Sequence, residues 1–223
     1  MTMVRTLTRN AAIGVALADA AHDLNAFLKP GCSAAIWRRQ TPRDLTRWLQ
    51  DLDPDLLPRG RVILRPQDLA ATLSQIFEIH GTPAGPERDT FHTDVTAIAE
   101  MFAQLMKAQA LRLRLDVVTT NACRKFHIDA VTARLVCTYR GTGTQYGIST
   151  DGEDPRRVFT VPTGAPILLR GTLWPNPPAS GLLHRSPPIE GSGETRLLLV
   201  LDPVQEFGEA GPPHHTDRGS YLH

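Results

Sequence analysis

The sequence predicts an α+β protein, with a helical N-terminal portion (residues 1–110) packed on a C-terminal jelly-roll-like double sheet (residues 111–203). Three observations predict it. Apolar residues in the first half recur at helical spacing, as in Leu69, Leu73, Ile76 and Phe77. From Leu111 the period falls to two, with leucines alternating against Arg112, Arg114 and Asp116. Beyond that point short apolar segments recur between turns rich in Gly, Pro and Asn, the pattern of a sandwich or barrel. A chain of 223 residues buries one substantial core, whereas two independent domains would be cramped.

The elements follow in order. Arg5 and Arg9 precede an apolar run from Ala11 to Ala18, which reads as an Ala-rich amphipathic helix rather than a signal peptide. Ala34 to Trp37 reads as a short strand, and Thr41-Pro42 opens a helix over Arg43 to Asp51. Val62 to Leu64 is a second short strand, and a helix carrying the Leu69 stripe follows Pro66. A break spans Gly81 to Pro86. A third helix is expected from about Asp94 to Gln109, burying Ile98, Phe102, Leu105 and Met106. Expected strands then run over Leu111–Val118, Lys125–Val131, Arg134–Tyr139, Arg157–Val161, Ile167–Gly171, Leu182–Ser186 and Thr195–Leu201. Residues 204–223 are polar, contain Gly211-Pro212-Pro213 and read as a mobile tail.

Composition excludes several classes. Lys+Arg number 24 and Asp+Glu 23, so no basic excess argues for nucleic acid and no acidic tract for disorder. No apolar stretch reaches the roughly 18 residues of a membrane span. Three cysteines, Cys32, Cys123 and Cys137, give no disulfide framework, and a reducing cytoplasm fits them.

The chemistry-bearing residues lie in the second half. In an extended segment, His127-Ile128-Asp129 places an imidazole and a carboxylate on one face. A second imidazole, His184 at the end of the apolar segment from Gly181, would complete two histidines and one carboxylate. That donor set holds Fe(II) and leaves coordination positions open. Arg196 follows 12 residues after His184 and heads the apolar segment Leu197 to Leu201. A guanidinium there is costly to bury without an anion, and its planar fork suits a dicarboxylate co-substrate. Pairing of Arg196 with Glu194 or Asp202 is the competing reading.

Other features have plainer explanations. Phe91-His92-Thr93-Asp94 repeats the His-x-Asp spacing, but a helical pattern follows at once, so Thr93 or Asp94 reads as its cap. Cys123 would add a fourth ligand to a zinc site, but a buried free cysteine is the simpler reading. Gly141 to Thr144 reads as a turn rather than a phosphate loop. Trp174 with the loop Pro175 to Ser180 reads either as a cover over the pocket or as a Pro-rich surface turn.

The series His127-x-Asp129, Arg134, Tyr139, Pro162-Thr163-Gly164-Ala165-Pro166, His184-Arg185-Ser186-Pro187-Pro188 and Arg196 resembles the Fe(II)/2-oxoglutarate-dependent dioxygenases, nearest their prolyl-hydroxylase-like branch. The resemblance implies a double-stranded β-helix core of the jelly-roll or cupin type. It implies His127, Asp129 and His184 on iron, Arg196 on 2-oxoglutarate, and Tyr139 as a helper in co-substrate binding, against the plainer reading of Tyr139 as a core tyrosine with its hydroxyl satisfied. Arg140-Gly141 replaces the Leu-Asn usual in prolyl hydroxylases after that tyrosine. More narrowly, Cys123 to Asp129, Thr138 to Thr144 and His184 to Pro188 resemble the bacterial domain-of-unknown-function family 1826, across most of the chain. The expectation is therefore a cytoplasmic non-haem Fe(II) and 2-oxoglutarate oxygenase acting on a small-molecule or protein substrate. The alternative is a non-catalytic cupin-like metal-binding protein serving zinc homeostasis.

Overall fold

The alternation Leu111-Arg112-Leu113-Arg114-Leu115-Asp116 becomes strand β4 (Ala110–Val118) of the structure, a computed structural model that describes residues 11–205. Before it come β1 (Gly14–Ala18), β2 (Cys32–Trp37), α1 (Arg43–Asp51), β3 (Gly60–Leu64), α2 (Leu69–Ile79) and α3 (Pro86–Met106). After it come β5 (Ala133–Arg140), β6 (Gln145–Ile148), β7 (Phe159–Thr160), β8 (Pro166–Arg170), β9 (Leu182–Arg185) and β10 (Arg196–Val204). Seven strands form one sheet in the order β1-β2-β8-β5-β10-β4-β3, and three form another in the order β7-β6-β9. All pairings are antiparallel except β1 with β2.

The period-two pattern sorts side chains between two cores. Leu111, Leu113 and Leu115 of β4, Leu135, Cys137 and Tyr139 of β5, and Leu197, Leu199 and Leu201 of β10 join the core shared with the helices. The intervening positions face the other way. Val136, Leu198 and Val200 join Ile167, Leu182 and Val161 in a smaller apolar cluster spanning both sheets. Arg134, Arg196 and Asp202 alternate with the helix-facing residues, so they share the side of that smaller cluster. Helix α2 buries Leu69, Leu73, Ile76 and Phe77 as its stripe demands.

Several expectations need correction. The run Gly14–Ala18 is a strand: it pairs with β2 from Val15↔Ala34 to Ala18↔Trp37, and this pairing overrides its local helix propensity. Residues 1–10 lie outside the described part. The boundary at residue 110 cuts through a single sheet, because β1, β2 and β3 occupy its two edges. Helix α3 starts at Pro86, with Glu87 and Asp89 in its first turn, so Asp94 lies inside the helix and caps nothing. Strand β6 was not expected. Its Gly147 has no room for a side chain, since a Cβ would stand 2.4 Å from the Arg157 carbonyl oxygen. Val204 closes β10, and the rest of the expected tail, from residue 206, lies outside the described residues. Among the described residues no helix is long and apolar enough to cross a membrane.

Candidate metal centre

His127, Asp129 and His184 meet, with one donor atom from each inside a 4.8 Å span. The expected strand over Lys125–Val131 is absent; within it only His127 pairs, in an isolated bridge to His184. The two residues exchange backbone hydrogen bonds, each N–H donating to the other's carbonyl at 3.0 Å. This pairing places the rings 4.5 Å apart. Asp129 follows two residues later, and its carbonyl accepts from Thr172 N–H at 2.9 Å. His184 Nε2 lies 3.0 Å from Asp129 Oδ2, and His127 Nε2 lies 3.5 Å from Asp129 Oδ1.

The donor set suits a divalent ion. His127 Nδ1 lies 2.8 Å from the Lys125 carbonyl oxygen, so Nδ1 carries a hydrogen and Nε2 is the nitrogen turned toward Asp129. Asp129 Oδ2 is buried, and His184 Nε2 at 3.0 Å is the group that faces it. Burial alone would raise the Asp129 pKa, but His127, His184 and Arg134 hold it well below the usual carboxylate range. Burial lowers the His184 pKa despite Asp129, which favours the neutral imidazole a metal needs. Contact with Asp129 raises that of His127.

Arg134 holds the carboxylate in place, a role that spacing alone did not show. Its Nη1 donates to Asp129 Oδ1, while Nε and Nη2 clamp Asp202 at 2.7 and 2.8 Å. One oxygen of Asp129 is thereby fixed, and the other is left facing His184.

Arg196 is 1% exposed and shares the inward face of β10 with Leu198 and Val200. Neither acid weighed as its partner takes it. Glu194 accepts from Thr142, and Asp202 accepts from Arg134. Arg196 Nε donates to the Thr142 carbonyl at 2.7 Å and Nη2 reaches Thr138 Oγ1 at 3.5 Å, while Nη1 is buried with no partner. Burial pushes its pKa down to about 10, and only Glu194 opposes this. Gly141 makes room for the side chain: its φ is +79°, and a Cβ there would stand 2.9 Å from Arg196 Cγ.

The structure does not bring Tyr139 to this group. Tyr139 projects among the helices, where its hydroxyl donates to Asp94 Oδ2 at 2.6 Å and its ring meets Phe91 edge-on. Asp94 also takes Arg39 through both oxygens, so the second His-x-Asp anchors α3 to the sheet. Trp174 packs on Phe27 and Arg170 within the helix-side core, and covers no part of the cavity beside the triad. Cys123 is exposed rather than buried, lies on the rim of that cavity and stands outside the three-residue donor group.

Comparisons with known proteins bear on the fold and on the family. The structure resembles the 2-oxoglutarate complex of dioxygenase for auxin oxidation 1 from Arabidopsis thaliana, with a TM-score of 0.52 at 11% identity, covering 90% of this chain and 96% of that one. The auxin-oxidation dioxygenase of rice matches with a TM-score of 0.48 at 15% identity, over 86% of this chain and 83% of that one. A Pseudomonas putida prolyl-4-hydroxylase matches with a TM-score of 0.37 at 11% identity, over 75% and 97%. The Arabidopsis match shows that the two sheets form the double-stranded β-helix of such dioxygenases. No curated protein matches the sequence. The family model described as protein of unknown function (DUF1826) matches residues 18–202, and the chain belongs to that family.

Proposed function

We propose that the protein is a non-haem Fe(II)- and 2-oxoglutarate-dependent oxygenase of the hydroxylase type. The observation that carries this reading is Arg196, a buried guanidinium with a free donor and no carboxylate bound to it, on the side of the sheet that also carries the triad's anchor Arg134. Two imidazoles and one carboxylate leave part of an ion's coordination sphere open, and a buried cation on the same side of the sheet calls for an anion. A dicarboxylate that chelates the ion at one end and meets Arg196 at the other satisfies both demands. The Arabidopsis relative in fold is a 2-oxoglutarate complex, which is consistent with that assignment.

His127, Asp129 and His184 would hold the ion. Bound iron would supply the activation of O₂. The chain's own work is positional. The Lys125 carbonyl fixes the His127 tautomer, and Arg134 keeps Asp129 ionised and oriented. Arg196 anchors the co-substrate's far carboxylate. Val136, Leu198 and Val200 line the cavity and limit water at the reacting centre. The three unpaired cysteines suit a reducing cytoplasm as the place of action.

Anaerobic addition of Fe(II) and then 2-oxoglutarate to the wild-type protein is expected to produce a visible metal-to-ligand charge-transfer band. Tight zinc binding with indifference to 2-oxoglutarate would instead make the chain a metal-binding module.

A further inference from the structure

We infer that Arg114 binds the carboxylate of a small, mainly apolar acid as the reaction's substrate, a reading that rests on the oxygenase proposal above. The triad opens into a cavity of about 140 Å³. Three arginines line it, and two of them are occupied. Arg134 is committed to Asp129 and Asp202. Arg185 donates to Gln145 Oε1 at 2.8 Å and lies over the Phe126 ring.

Arg114 is different. Its Nε is buried with no hydrogen-bond partner, and its Nη1 stands 3.9 Å from Asp116 Oδ2. Asp116 is already taken from the neighbouring strand, where Arg61 reaches its Oδ1 at 3.1 and 3.2 Å. Arg61 and Arg114 are direct cross-strand partners, and Arg134 adds a further like charge, so three guanidiniums share the field of the Asp202 and Asp116 carboxylates. An incoming anion would relieve that excess.

This anion is not the co-substrate's far carboxylate. In the β10–β4 register Arg114 stands opposite Val200, whereas Arg196 stands opposite Val118. Four residues of strand separate the two rows, about 13 Å at ~3.3 Å per residue, so the two guanidiniums rise from well-separated points along the strand pair. Arg114 therefore serves a second ligand on the open side of the triad.

Two features set the class of that ligand. Val136, Leu198 and Val200 give the cavity an apolar wall. Its volume is below the roughly 300–1,000 Å³ of sites for drug-sized ligands, so the molecule is small. A monoanion fits better than a phosphate dianion, because the Asp116 carboxylate stays beside Arg114 and repels the second charge.

The test uses the full chain loaded with Mn(II) and 2-oxoglutarate, titrated calorimetrically with phenylacetate, phenylacetamide and phenyl phosphate. Phenylacetate is expected to bind at least about 10-fold more tightly than its amide, the scale of a hydrogen bond to a charged group. Arg114→Gln should erase that preference and Arg114→Lys should restore part of it. Equal binding of acid and amide, no binding of the acid, or an acid affinity unmoved in Arg114→Gln overturns the proposal. Preference for phenyl phosphate overturns the choice of carboxylate. Failure of Mn(II) to bind the wild-type chain sinks the oxygenase reading instead. The acid–amide comparison is then made on the metal-free chain and decides the role of Arg114 alone.

Discussion

Arg196→Met is expected to weaken 2-oxoglutarate binding at least about 30-fold while leaving thermal stability within about 1 kcal/mol of wild type. The two halves of this result have one cause. Arg196 carries a charge that burial depresses and no bound carboxylate compensates, so its retention costs the folded chain energy. An apolar side chain of similar length removes that cost and gives up the bond to the Thr142 carbonyl and the long contact to Thr138. Removing the partner of a buried carboxylate costs 2–5 kcal/mol or more, which is at least about 30-fold at 1.4 kcal/mol per decade. Calorimetric titration of 2-oxoglutarate into the Mn(II)-loaded chain, beside thermal melts without ligand, measures both. A large loss of stability with unchanged affinity would make Arg196 a structural residue.

Arg134→Met is expected to show the opposite balance, with a stability loss of about 3–5 kcal/mol. Arg134 holds Asp202, whose side chain is 3% exposed, and Asp129, 13% exposed, so its removal strands two buried carboxylates. Asp129 would also lose a cation that keeps it ionised, and its pKa would rise. Chemical denaturation at neutral pH measures the stability loss. A change below about 1 kcal/mol would mean that water replaces the guanidinium and that the pair is weakly coupled.

The sequence made α1 and α2 readable because each carries an apolar stripe between recognisable ends. It hid the start of α3, since His92-Thr93-Asp94 offers a second cap-like signal inside the helix, beyond Pro86 and the acids of the first turn. Gly14-Val15-Ala16-Leu17-Ala18 satisfies either a helix or a strand, and only pairing with β2 decides between them. The triad was readable as residue types, although Lys125–Val131 is not a strand. One backbone bridge at His127 replaces the strand that the period-two argument invoked. Tyr139 takes the core place rather than the co-substrate role for a related reason. Its parity along β5 matches Leu135 and Cys137, but nothing in an isolated strand says which parity faces the helices. The double grip of Arg134 depends on the β5–β10 register, which joins residues 68 apart and leaves no local trace.

Mn(II) binding to the wild-type chain and to His127→Ala, Asp129→Asn and His184→Ala tests most directly whether these three side chains share one ion. The account predicts one ion per wild-type chain and an affinity more than about 100-fold lower in each variant, beyond the effect of losing an outer partner. An undiminished Mn(II) affinity in His184→Ala would contradict it.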